Sequence, residues 1–182
     1  MKKINTKNIT VLGVLTALSV VLVMLLHFPL IPTAAFLEYD PADIPIYIVT
    51  FLYGPASGLI ITIVVSIIQG ITVSSSSGLY GILMHIISTG AFVLTSGIIY
   101  HLSKKNLFSM TYSLVAGVII TTAVMIPANL IITPYFMGTP VDMVKSMLLP
   151  AIIPFNLLKQ CINSAVTALV YIPVTKAVCK RG

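Results

Sequence analysis

Residues 44–53 read Ile-Pro-Ile-Tyr-Ile-Val-Thr-Phe-Leu-Tyr, an apolar run of only ten residues, and whether it crosses a bilayer decides the fold. A helix needs about 20 apolar residues to cross a hydrocarbon core, fewer where protein partners line it. On length alone the run is equally compatible with a re-entrant piece. Five further runs, over 9–28, 56–73, 80–102, 107–133 and 150–178, cross with little argument. That lipid is the solvent follows from composition. The chain is 58% hydrophobic and 8% charged, with a mean hydropathy of +1.09, whereas a soluble domain carries about a quarter charged residues.

Charge settles the short run. Lys2, Lys3 and Lys7 open the chain, Lys104 and Lys105 sit between two apolar runs, and Lys176, Lys180 and Arg181 close it. If all six runs cross with the N-terminus inside, every one of these basic residues is cytoplasmic, as positive-inside bias requires. The acids Glu38, Asp40, Asp43 and Asp142 are then outside. If the short run does not cross, the Lys104–Lys105 connection and the C-terminal cluster move outside. The expectation is an all-α integral membrane protein with six transmembrane helices, N-in and C-in, forming a single domain over 1–182. The net charge of +6 resides in short clusters flanking apolar runs and not on a continuous basic face, so no nucleic-acid partner is expected; the bilayer is. The run 9–28 is too long for a signal h-region and no small-x-small cleavage site follows, so it is expected to stay attached.

Gly54-Pro55 reads as a tight turn, and 74–78 as a small flexible loop. The connections 29–43 and 134–149 are longer and external, the first kept from helix by Pro29, Pro32, Pro41 and Pro45. There is no internal repeat of the kind that builds many secondary transporters. No G-x-x-x-x-G-K-[ST] and no H-E-x-x-H occurs, so neither a phosphate-cradling loop nor a helical metal pair is expected. His27, His85 and His101 are scattered; His85 is either a cavity residue or a packed helical histidine. Cys161 and Cys179 lie eighteen positions apart on one helix, too far for a disulfide.

The most informative residue is Lys159, about nine residues into the last run, or roughly 13 Å at 1.5 Å per residue. A charge at that depth costs about 2.5 kcal/mol or more without partners or water. Asn156 and Asn163 flank it at helical spacing, making a polar stripe on an otherwise apolar helix. Either Lys159 snorkels outward while the asparagines glue helices together, or the stripe faces a ligand cavity opening to the outside. Asn129, beside Pro127, favours the cavity, because Pro127 frees a backbone carbonyl there. Two amides and an ammonium offer donors and acceptors suited to a neutral, flat heterocycle. Tyr39, Tyr135, Phe136 and Phe155 supply either stacking faces or an interfacial belt. On the first helix, Gly13 and Ala17 at i, i+4 let a neighbouring helix approach closely.

The stretch Phe36-Leu-Glu-Tyr-Asp-Pro-Ala-Asp-Ile-Pro45, followed by Gly54-Pro-Ala-Ser-Gly-Leu59, resembles the first external loop and second helix of riboflavin S components of energy-coupling-factor vitamin importers. Pro154-Phe-Asn-Leu-Leu-Lys159 resembles the last-helix signature of that family, and 125–138 also fits. The D-x-x-D-I-P element recurs in S components for other vitamins; the P-F-N-L-[LI]-K element is the more telling one. The resemblance implies six helices, a pocket near the outer face capped by the first external loop, and riboflavin as transported ligand with no cofactor. It also implies docking, through a small-residue face of helix one, onto a transmembrane T component above two ATP-binding subunits. Carried over by residue, Asn129, Asn156 and Lys159 match polar ligand contacts, Leu37 matches a loop residue over the flavin, and Gly13 and Ala17 match the docking pair. The nearest alternative is an S component for another vitamin or a flavin relative such as FMN. From another class, a small membrane enzyme would use Asp40 and Asp43 as acid and base, but metal ligands and a nucleophile are missing. A self-sufficient channel or secondary transporter is disfavoured by the absent repeat.

Overall fold

The computed structural model describes residues 6–179, so Lys2, Lys3, Lys180 and Arg181, on which part of the inside assignment rests, lie outside the described residues. The elements run α1 (Thr6–Leu25), β1 (Phe28–Pro29), a 3-10 turn (Pro32–Ala34), β2 (Glu38–Tyr39), α2 (Asp43–Tyr53) and α3 (Pro55–Ile71). Then follow α4 (Gly78–Leu102), α5 (Leu107–Met137), α6 (Val141–Met147), a π-helical turn (Leu148–Ile152) and α7 (Ile153–Cys179). Four helices, α1, α4, α5 and the continuous Val141–Val178, are long and apolar enough to cross a membrane, while α2 and α3 are shorter.

The short α2 is the central element. Eight of its 11 residues are buried, and it packs against α1, α3, α4 and α7. A helix enclosed by other helices does not meet lipid, so the length a lipid-facing span needs does not apply to it. The Tyr47 ring stacks on Phe92 of α4 at 3.9 Å between centroids, and its hydroxyl donates to Gln160 of α7. Beneath this stack α5 approaches through Gly117, where an added Cβ would lie 2.8 Å from the Phe92 ring. The turn into α3 needs Gly54, whose φ of 101° L-residues rarely adopt; Pro55 then opens α3, where its missing N–H is harmless.

The connection 29–43 is the loop its prolines foretell, shaped by a small antiparallel pairing of Phe28 with Tyr39 and Pro29 with Glu38. This strap is folded onto the bundle by a second apolar cluster that joins Ala34 and Leu37 to Val144, Ala151, Ile152 and Phe155. The connection 134–149 departs from the expected loop. Helix α5 continues through Pro134 to Met137, where Gly138 caps it in the left-handed conformation, its N–H donating to Pro134 O. Residues 141–152 then form α6 and the π turn leading directly into α7. In a membrane bundle neighbouring helices, side-chain hydroxyls and local π widening absorb a proline that would end a helix in water. Pro134 and Pro150 are such cases.

Replacing Gly117 with Leu forces a branched side chain into the enclosed Phe92–Tyr47 stack, where overpacking costs about 1–3 kcal/mol. The expected outcome is a lower melting temperature of the detergent-solubilised protein, with its helix content by circular dichroism retained.

Candidate ligand-binding cavity

The strap and the adjoining ends of α3, α4, α5 and α7 enclose a cavity of about 990 Å³, open mouth included. Its walls are largely apolar and aromatic, with Phe36 from the strap, Tyr80 from α4, Phe136 from α5 and Phe155 from α7. Phe136 lies 6.4 Å from Phe36 and 6.1 Å from Tyr80 between ring centroids, so one wall is an aromatic cluster. An apolar chamber with few convergent polar groups is the usual form of a small-molecule site.

All four ligand candidates named from sequence line this cavity: Leu37 from the strap, Asn129 from α5, and Asn156 and Lys159 from α7. Asn129 is wholly buried; its amide donates to Met125 O at 2.8 Å and its carbonyl accepts from the Thr133 hydroxyl at 2.9 Å. Asn156 donates to Ile152 O, at the end of the π turn, at 2.8 Å. Both amides therefore tie part of their capacity to their own helix. Lys159 does not snorkel: it is 8% exposed and its ammonium donates to Asp40 Oδ2 at 2.8 Å. Asp43 Oδ2 stands 3.9 Å away, close enough for attraction but beyond a hydrogen bond. Of the four aromatics proposed for stacking, Phe136 and Phe155 reach the cavity. Tyr135 points away from the bundle, 74% exposed, and Tyr39 is buried with its hydroxyl donating to Asn163 Oδ1. Burial and the adjacent Asp40 carboxylate push the Tyr39 phenol above its ordinary range, so it stays a neutral donor.

The carboxylates behind Lys159 form a network that local sequence does not reveal. Asp40 accepts from the Ala42 N–H at 3.1 Å, where α2 begins, while its backbone carbonyl accepts from Asn163. Asp43, in the first turn of α2, is completely buried. Its Oδ1 accepts from Thr89 at 2.7 Å and faces His85 Nε2 at 3.1 Å; its Oδ2 accepts from Asn163 at 3.3 Å. Four elements thus meet in one buried polar cluster. Gln69 at the end of α3 is a further cavity residue missed from sequence, and its Oε1 is buried without a hydrogen-bond partner. A glutamine in the last turn of an apolar helix gives no signal by itself. The docking candidates lie elsewhere. Gly13 and Ala17 are exposed on α1, on the side away from its buried Leu15, Ser19 and Val23, and a Cβ at Gly13 would meet nothing within 4 Å. Among the described residues there is no cluster of metal-ligating side chains.

Comparison with known proteins agrees with this architecture. The chain is 30% identical to a riboflavin transporter, RibU, of Streptococcus thermophilus, over 97% of this chain and 86% of that one. It is 27% identical to the riboflavin transporter FmnP of Bacillus subtilis, over 92% of each chain. A RibU of Staphylococcus aureus is 30% identical over 93% of each. The solved S component of a bacterial ECF transporter superposes with a TM-score of 0.79 at 26% identity, covering 93% of this chain and 96% of that one. The family model described as ECF transporter, substrate-specific component, matches residues 7–171. With that match spanning nearly all of its length, the chain belongs to the substrate-specific components of ECF transporters.

Proposed function

We propose that this chain captures riboflavin from outside the cell in the strap-capped cavity and releases it inward when coupled to a transmembrane T component and two ATP-binding subunits. The observation that carries this reading is the convergence of Asn129, Asn156 and Lys159 from two helices on one aromatic-walled chamber. Amide donors and acceptors beside flat apolar faces match a heterocycle that alternates carbonyl and imino groups. Two carboxylates, Glu38 and Asp40, line the same space as the single ammonium. Among the described residues no arginine and no second lysine lines the cavity to grip a phosphate, which favours a neutral flavin over a phosphorylated one. The relatives bearing the name riboflavin transporter point the same way. No covalent chemistry is required of the chain.

In this reading all six principal helices cross the membrane, with the start of α1 and the end of α7 inside and the cavity outward. The enclosed α2 crosses as the core of the bundle, and Lys104 and Lys105 occupy the α4–α5 turn on the inner side. Gly13 and Ala17, with the exposed Val14, Leu18 and Val21 beside them, form the face on which the T component docks.

Four outcomes test the reading. Asn156→Ala leaves ligand groups unpaired while removing only an intrahelical bond from the protein, so riboflavin affinity should fall about 5- to 150-fold, or 1–3 kcal/mol, by fluorescence quenching. Lys159→Met also strips Asp40 of its cation, so it should lower the ligand-free melting temperature as well; unchanged affinity in both variants would remove the site from this cavity. Ala17→Leu should reduce uptake by the complete transporter while the isolated subunit binds riboflavin normally, because only close helix approach is blocked. A single cysteine placed at 104 should react with an impermeant thiol reagent only from the cytoplasmic side, and external labelling would contradict six crossings.

A further inference from the structure

His85 lines the cavity from α4 with its side chain 9% exposed. Its Nδ1 lies 2.6 Å from Ser66 Oγ on α3, and Ser66 donates its one hydroxyl hydrogen to Thr62 O at 2.6 Å. Toward the ring, Ser66 is therefore left with lone pairs, and Nδ1 must be the donor. On the other side, Nε2 faces Asp43 Oδ1, which already accepts from Thr89, while Asp43 Oδ2 accepts from Asn163. A carboxylate surrounded by donors is ionised and has no hydrogen to give, so Nε2 is a donor too. An imidazole that donates from both nitrogens is an imidazolium.

The charges around it agree. The elements packed about His85 contribute Asp40 from the strap, Asp43 from α2 and Lys159 from α7. Ser66 and Thr62 from α3, Ser88 and Thr89 from α4, and Gln160 and Asn163 from α7 are uncharged. Glu38 and His27 line the same cavity. Two buried carboxylates and one ammonium leave one negative charge uncompensated, which is unfavourable in a poorly solvated interior. An imidazolium balances it.

We propose that His85 is a positioning residue, held as the imidazolium, that neutralises Asp43 so that Lys159 stays on Asp40 at the cavity wall with donors left for the ligand. The distances fit: the ammonium is 2.8 Å from Asp40 and 3.9 Å from Asp43. Without the second cation, Asp43 draws Lys159 inward, away from the ligand. This rests on the reading of Lys159 as a riboflavin contact.

The experiment combines a spectrum with a mutant cycle. In protein carrying ¹⁵N at the histidine rings, with His85 assigned by the signals lost in His85→Gln, both ring nitrogens should carry protons at pH 7. A bare nitrogen on either side overturns the proposal, and this measurement needs no variant to bind ligand. His85→Gln can still donate one hydrogen bond to Asp43 but has no charge, and should weaken riboflavin binding about tenfold. In an Asp43→Asn background the same substitution should cost less than about threefold, because no carboxylate remains to be neutralised. Equal losses in both backgrounds, or no loss in the first, overturn the proposal. If the unaltered protein fails to bind riboflavin, the ligand reading fails instead, and the ring-nitrogen spectrum alone then decides the charge of His85.

Discussion

The contact between the Lys159 ammonium and the Asp40 carboxylate, 2.8 Å apart and both nearly sealed from solvent, joins the strap to the last helix. Breaking a buried pair by removing one partner leaves an uncompensated charge and typically costs about 3–5 kcal/mol. A pair so placed is less a source of stability than a constraint on where its neighbours sit. Asp40 also meets the Ala42 N–H at the entry to α2, and Asn163 holds both the Asp40 carbonyl and Asp43. The position of the strap, the entry of α2 and the facing of α7 are therefore one decision. The cavity is what those three elements leave between them, together with α3, α4 and α5.

The same chemistry explains why α2 can be short. It carries the fully buried Asp43 into the bundle, where lipid would impose a penalty on the charge but Thr89, Asn163, His85 and Lys159 meet it. Enclosure satisfies the polar end of α2, and stacking of Tyr47 on Phe92 anchors its apolar middle. Helix α1 is the opposite case. Only Leu15, Ser19 and Val23 of its 20 residues are buried, so most of its surface is available to lipid or to another membrane protein. The cavity and the small-residue face of α1 are thus separated: the first lies under the strap, the second on the periphery.

What the sequence by itself determined is what depends on local composition and period. Lipid as solvent, the positions of the six helices to within a few residues, the turn at Gly54-Pro55 and the proline-rich strap are all properties of neighbouring residues. The polar stripe Asn156–Lys159–Asn163 was legible because polar side chains at helical spacing stand out against an apolar background. Tertiary structure alone decided how that stripe is used. Lys159 and Asp40 are 119 positions apart, and no periodicity links an acid in a loop to a base in the last helix. Nor does any local pattern tell that His85 bridges Ser66 and Asp43, or that Gln69 turns into the cavity. The helix that continues through Pro134, and the helical turns over 141–152, were hidden for the complementary reason. A proline is read as a helix end from its missing N–H and its ring, but whether neighbouring helices absorb that defect depends on packing that only the folded bundle supplies.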